Sequence, residues 1–235
     1  LINDNLILWL DAHHVHGGVD SSDAQTNGRL NSDQLHVASW VDLSGQANHL
    51  VQPLSSNWAS FTGADTALDS SVDFNGASVL NGDPSKLPTG SAARSIFIVN
   101  DSSETAPGFT YGYGDSTITG GTLDLNLYNA TDLCYHLWNV DYCTTKTFES
   151  GKNIYLVDYD STRDQSNNIA VDMRSYLNGI YQSYDNGRLP STLLDTGTEY
   201  FTVGSRYFNN APQQHYTGSI HEMLVFDRVL TDVEI

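Results

Sequence analysis

The 235 residues carry ten Lys plus Arg against 28 Asp plus Glu, a formal net charge of −18. No basic stripe is left to neutralise phosphates, so nucleic acid is excluded as a partner. No run approaches the roughly 20 apolar residues that span a bilayer, so membrane insertion is not expected; at this length an all-β chain closes on one core, and a single domain over 1–235 is expected.

The predicted elements are short period-two runs split by Gly, Asn, Asp and Pro, the pattern of an antiparallel sandwich. Leu6-Ile7-Leu8-Trp9-Leu10 opens the series, followed by Ser71-Val72-Asp73-Phe74 with its Asn75-Gly76 turn and by the apolar Ser95-Ile96-Phe97-Ile98-Val99. Phe109 to Gly114, Leu123 to Leu127 and Asn153 to Val157 continue the pattern. A hairpin is predicted from 169–177 to 180–184 through Asn178-Gly179, a pair suited to a type I′ turn. Tyr200 to Gly204 and Gly218 to Phe226 are the late strands, and Thr231-Asp232-Val233-Glu234 has the capping-box spacing of a helix start.

Cys134 and Cys143 fall in a segment that reads as a hairpin, so their side chains can face each other across paired strands. A local disulfide is expected ahead of a metal pair or a nucleophile, which suits a secreted, extracellular setting; two reduced, buried cysteines are the alternative. Leu1-Ile2-Asn3-Asp4 lacks the basic flank and apolar run of a signal peptide. The chain is therefore expected to be a monomeric piece excised from a larger secreted or cell-surface protein.

Several strings together resemble the concanavalin A-like, laminin-G-like jelly-roll superfamily of bacterial surface proteins: Leu8-Trp9-Leu10-Asp11-Ala12, then Ser39-Trp40-Val41-Asp42-Leu43-Ser44-Gly45-Gln46-Ala47-Asn48, Val72 to Gly76, Leu177-Asn178-Gly179 and Gly218 to Thr231. The resemblance implies an all-β fold, an antiparallel β-sandwich with long loops and little helix. More narrowly, the Asp-rich loops and scarce Lys look like the calcium-dependent ligand-binding modules of large bacterial adhesins, which take sugars or the C-terminal carboxylate of peptides. Each string is a signature of turns and core strands, so fold follows from it more directly than function.

Every acid other than Glu104, Glu149, Glu199, Glu222 and Glu234 is Asp, the short carboxylate of turns and of calcium loops; charge for solubility is the competing explanation. Asp23-x-Gln25-x-Asn27-Gly28, with Asp20 and Asp33 nearby, imitates the start of a calcium loop in which alternate oxygen side chains converge on the ion. Gln25 is uncharged and Gln34 stands where a closing Glu would be, so a loop site is expected here and not an EF-hand; an ordinary polar loop is the alternative. Asp158, Asp160 and Asp164, with Asn167 and Asn168, form a second calcium candidate against a solvated connection. His13, His14 and His16 lack the Cys or spacing of a zinc site.

The ligand-binding candidates are Tyr111, Tyr113 and Asp115 together with Asp132, Trp138, Asn139, Asp141 and Tyr142. The two segments flank a predicted strand pair, and their ends are expected to meet at one rim, aromatic faces beside carboxylates. Trp138 serves as core or as surface on this reading. No Glu-x-Asp-x-x-Glu string and no Gly-x-Ser-x-Gly elbow occurs, and Glu222 has no acidic neighbour at strand spacing in its own run. The expectation is thus a non-enzymatic module that binds a peptide or carbohydrate on a host or neighbouring cell surface, with Ca2+ as cofactor; a calcium-stiffened spacer and a glycoside hydrolase-like enzyme are the alternatives.

Overall fold

In the computed structural model, which describes residues 4–15, 36–63, 70–102, 108–127, 133–144, 150–163, 169–184 and 193–235, the period-two runs become the strands of two packed antiparallel sheets. Among the described residues the first sheet runs β15 (Ile180–Gln182), β14 (Met173–Leu177), β13 (Gly151–Tyr159), β8 (Arg94–Ser102), β19 (Thr217–Phe226), β6 (Ser71–Asn75), β5 (Ala59–Thr62) and β2 (His36–Val37), and β1 (Leu6–Asp11) also pairs with β19. The second runs β12 (Asp141–Cys143), β11 (Cys134–His136), β10 (Thr122–Asn126), β9 (Phe109–Gly114), β16 (Tyr200–Val203), β7 (Leu80–Asn81), β4 (Leu50–Val51) and β3 (Ser39–Trp40). A separate hairpin joins β17 (Arg206–Phe208) to β18 (Ala211–Gln213).

Alternation decides the faces. Leu8, Leu10, Ile96, Ile98, Tyr155, Val157, Met223 and Val225 of the first sheet meet Tyr111, Tyr113, Leu123, Leu125, Tyr135, Tyr142, Phe201 and Val203 of the second in one buried cluster. Each such aliphatic side chain contributes about 1.5–3 kcal/mol through burial. A one-residue slip in any strand would turn its whole set outward.

The strings that carry the family resemblance are stitches between strands. Asp42 accepts from the backbone N–H groups of Trp9, Ser44 and Asn48, each at 2.9 Å, and so folds the 42–48 loop around one carboxylate. The Asn48 side chain in turn exchanges two hydrogen bonds with the backbone of Asp83. Trp40 Nε1–H donates to the Asp11 carbonyl at 3.1 Å. Arg94 is fully buried, yet its guanidinium donates to Tyr113 Oη and Thr196 Oγ1 at 2.6 Å and to the carbonyls of Pro88, Gly90 and Ala92. With the Thr89 carbonyl at 3.5 Å, six acceptors replace a counter-ion there and tie the 88–92 loop to β8 and, through Tyr113, to the second sheet.

Cys134 and Cys143 stand opposite each other on β11 and β12 and form a disulfide, with their Cα atoms 4.1 Å apart. Asn178 (φ 53°) and Gly179 (φ 77°) make the predicted hairpin turn. The strand expected from residue 169 begins only at Met173, because Ile169–Asp172 is a single helical turn. The Asp172 carbonyl accepts from Asp160 N–H, which continues the β13–β14 register by one bond, and also from Arg163. The capping-box string forms a turn in which Glu234 accepts from Thr231 N–H at 2.8 Å and takes two bonds from Arg228.

Candidate functional site

The outward face of the second sheet carries a row of polar residues in register: Asp141 opposite His136, His136 opposite Asp124, Asp124 opposite Gly112, and Gly112 opposite Thr202. Such positions ordinarily face water, but Asp124 is only 1% exposed. Tyr200 Oη–H donates to it at 3.0 Å, and His136 Nδ1 stands 3.5 Å away. Gly112 makes the close approach possible, since a Cβ there would lie 2.6 Å from Asp124 Oδ1. Burial pushes the Asp124 carboxyl above its ordinary value, against the opposing pull of His136, the Tyr200 hydroxyl and Arg206.

The β17–β18 hairpin supplies the cover. Arg206 lies 4.9 Å from the Phe109 ring centroid and 5.4 Å from that of Phe208, and its Nη1 meets His136 Nε2 at 3.3 Å. One guanidinium thus ties the hairpin's aromatic tip to the polar row by cation–π and hydrogen-bond contacts. His136 also meets Trp138 edge-on at 6.0 Å, and Trp138 packs on Phe208 with centroids 4.9 Å apart and planes inclined by 41°. The result is a concave aromatic corner.

A cavity of about 360 Å³ opens beside this corner. Trp138 of the β11–β12 turn and Phe208, Asn209 and Asn210 of the β17–β18 turn form its aromatic and amide side. Ser116 and Thr117 of the β9–β10 loop and Glu199, just before β16, complete the lining. Asp115 supports the loop from behind: it accepts from Thr117 N–H at 2.8 Å and from Thr117 Oγ1–H at 2.6 Å, and that hydroxyl bond holds its carboxyl below the ordinary range. The volume lies within the range of small-ligand sites.

Both turns are tight and left-handed. Asn209 and Asn210 adopt φ 51° and 61°, which Asn tolerates; Trp138 and Asn139 adopt 48° and 60°. For a bulky side chain that conformation costs about 1–2 kcal/mol. Contacts with Phe208 and His136 hold Trp138 there, and strain of this sort concentrates at functional surfaces.

The candidates of the sequence divide accordingly. Trp138 lines the cavity; Asn139 is exposed next to it, with Nδ2 3.4 Å from Thr119 Oγ1; Asp115 braces the rim; Asp141 faces His136 at 3.8 Å. Tyr111, Tyr113 and Tyr142 differ from the expectation: each is at most 1% exposed, because they share the inward face with Leu123 and Leu125, and the Tyr113 hydroxyl is held by Arg94. Asp132 lies outside the described residues. Glu199, Phe208, Asn209 and Asn210 were not singled out from the sequence. The signal available was Asn209-Asn210 set between Tyr207-Phe208 and Ala211-Pro212, a two-residue turn string.

Of the calcium candidates, Asp20, Asp23, Gln25, Asn27, Asp33 and Asp164 lie outside the described residues. Asp158 and Asp160 each have partners within the protein. Asp158 Oδ1 lies 2.7 Å from Arg163 Nη2 and 3.5 Å from Arg174 Nε, so guanidinium charge already faces it. Asp160 closes its own turn by accepting from Thr162 N–H and Oγ1–H at 2.9 and 2.7 Å. Among the described residues no group of three or more His, Cys, Asp and Glu is placed to hold a metal ion.

Glu222 does face an acid, which its own run could not reveal: Asp11 of β1 stands opposite it. Both carboxylates are engaged. Glu222 accepts from Trp9 Nε1–H at 3.0 Å, while Asp11 takes His13 Nδ1 at 3.2 Å and His14 Nδ1 at 2.9 Å. Burial, and then the nearby Asp11 charge, push the Glu222 carboxyl up, with the Trp9 bond opposing. Both imidazoles turn the same edge to one carboxylate, which suits a structural clasp better than a chelate.

No protein-family model and no curated protein matches this chain. Solved structures do. Domain 4 of AbnA, a GH43 extracellular arabinanase from Geobacillus stearothermophilus, in complex with arabinotriose, superposes with a TM-score of 0.61 at 14% identity over 98% of this chain and 96% of that one. A GH54 α-L-arabinofuranosidase mutant soaked with 4-nitrophenyl α-L-arabinofuranoside gives 0.63 at 14% identity over 97% of this chain, which spans 57% of that one. The CBM40 of the Ruminococcus gnavus IT-sialidase bound to α2,3 sialyllactose gives 0.50 at 17% identity over 70% of this chain and 93% of that one. At these identities the likeness is one of fold, and it is a β-sandwich in each case.

Proposed function

We propose that this chain is a carbohydrate-binding module that receives its ligand at the cavity between the β11–β12 and β17–β18 turns. The observation that carries the reading is the Trp138–Phe208 corner, held in a strained turn and flanked by Asn209, Asn210 and Glu199. Aromatic faces take the C–H patches of a sugar ring while amides and a carboxylate take its hydroxyls. The sugar complexes of the AbnA domain and of the CBM40 support the same reading by fold.

A peptide's C-terminal carboxylate fits the cavity less well, since among the described residues neither Lys nor Arg lines it and Glu199 does. The disulfide supports an extracellular setting. Calcium-assisted uptake and a place in a surface adhesin extend this proposal on the acidic character of the sequence.

The test is calorimetric titration with oligosaccharides, in calcium and in chelator, of the 235-residue chain and of Trp138→Asn. Asn suits the left-handed turn, and relief of that strain offsets the lost aromatic contacts, so the variant should fold. Its affinity should fall at least about tenfold, equivalent to about 1.4 kcal/mol. Unchanged affinity in the variant, or peptide uptake in place of sugar, would overturn the reading.

A further inference from the structure

Resting on the sugar-binding reading, we infer that the cavity selects neutral sugars and discriminates against those bearing a carboxylate. Among the described residues Glu199 is the charged member of the lining, and it shares the cavity with the amides of Asn209 and Asn210 and the hydroxyls of Ser116 and Thr117. A carboxylate only accepts hydrogen bonds, so Glu199 needs donors from its ligand. Vicinal hydroxyls supply two donors side by side; an acidic substituent supplies none and brings a like charge into a partly desolvated space.

The positive charge that could offset this is committed elsewhere. Arg206 is not part of the lining, and its guanidinium is taken by the Phe109 and Phe208 rings and by His136 Nε2. Asp115, which accepts from Thr117 Oγ1–H and lies within hydrogen-bonding reach of the Glu199 side chain, adds a second carboxylate to the same side. The protein's net charge of −18 opposes anionic ligands in the same direction, but that broad field is screened within about 8–10 Å at ordinary salt. Selectivity that survives salt therefore belongs to the cavity.

Matched pairs make the test: lactose against sialyllactose, and galactose against galacturonic acid, titrated into the 235-residue chain at about 0.15 M salt, where the screening length is about 8 Å, in chelator and in calcium. The neutral member should bind at least about tenfold more tightly. Glu199→Gln should narrow that ratio by strengthening the acidic member, and Asn209→Asp, at an exposed turn position that tolerates Asp, should widen it. Tighter binding of the acidic member, its uptake through calcium, or a ratio indifferent to both substitutions would overturn the inference while leaving sugar binding in place. Failure of every sugar, with both variants folded, would overturn the parent reading and this one with it.

Discussion

Asp124 and Asp158 occupy equivalent positions in opposite sheets and end in different roles. Each stands on the outward face of its strand, where alternation would give it to water, and each is instead covered by a following segment of chain. The cover over Asp158 brings Arg163, which with Arg174 opposite closes the carboxylate into an ion pair. The cover over Asp124 is a hairpin whose arginine is spent on aromatic rings and an imidazole, leaving a tyrosine hydroxyl as the donor to the carboxylate. The first arrangement seals a loop. The second supports a tip that projects Phe208, Asn209 and Asn210 beside Trp138. What separates a structural clasp from a site is thus what the covering segment has left over after it has met the buried carboxylate.

The largest effect should come from breaking the sealed side. Asp158→Ala leaves Arg163 facing no carboxylate, and Arg174 with only the exposed Asp232 at 3.7 Å, in a site where the Asp158 side chain was fully buried. Loss of one partner of a buried pair costs about 3–5 kcal/mol, and because both arginines are partly exposed and can rehydrate, about 2–4 kcal/mol is expected. For a chain of this size that lowers Tm by about 4–16 °C, read by thermal denaturation. Sugar affinity of the folded variant should not change; if it does, the two regions are not independent.

Arg206→Met probes the open side more gently, keeping apolar cover while removing the cation. A stability loss of about 1–2 kcal/mol is expected from the two ring contacts, with a several-fold weaker sugar affinity as Phe208 loses its tether. Arg206→Lys should not restore it, because a point charge cannot stack on rings and donate to His136 together. Full affinity in the Met variant would separate the polar row from the site above it.

This division was only half legible in the sequence. Strand runs such as Leu123 to Leu127 and the Asn178-Gly179 turn announce themselves because each depends on local periodicity or on one turn's φ values. The motif from Trp40 to Asn48 was equally clear, since its Asp42 works mostly on neighbours a few residues away. Trp138 was found, but Tyr111, Tyr113 and Tyr142 were placed beside it because composition does not tell which face of a strand an aromatic residue takes. Asp158 looked like a metal ligand because its arginine partners are separated from it by a loop and a strand pairing, and Glu199 and Phe208 join Trp138 only through the order of strands in the second sheet.

The smallest effect sets the two aspartates side by side through pH. Burial raises both carboxyls above the ordinary Asp value of 3.8. A group raised in the folded state binds its proton more tightly there than in the unfolded chain. Its stabilising contribution is complete below 3.8 and is lost as pH rises through the folded value. The wild-type chain should therefore gain stability over Asp124→Asn as pH is lowered from 7 toward 4, and likewise over Asp158→Asn, in denaturation series that differ only in the substituted group. Glu234 has the opposite sign: the Arg228 bond holds it down to about 2 from 4.5, so its contribution is present above 4.5 and fades as pH falls toward 2. The gain over Asp158→Asn should be the smaller of the two, because two guanidiniums favour the charged form there while Asp124 has a phenol and an imidazole. A larger gain at Asp158 would mean that the guanidiniums do not neutralise it, and the contrast between a sealed and a supporting carboxylate would have to be redrawn.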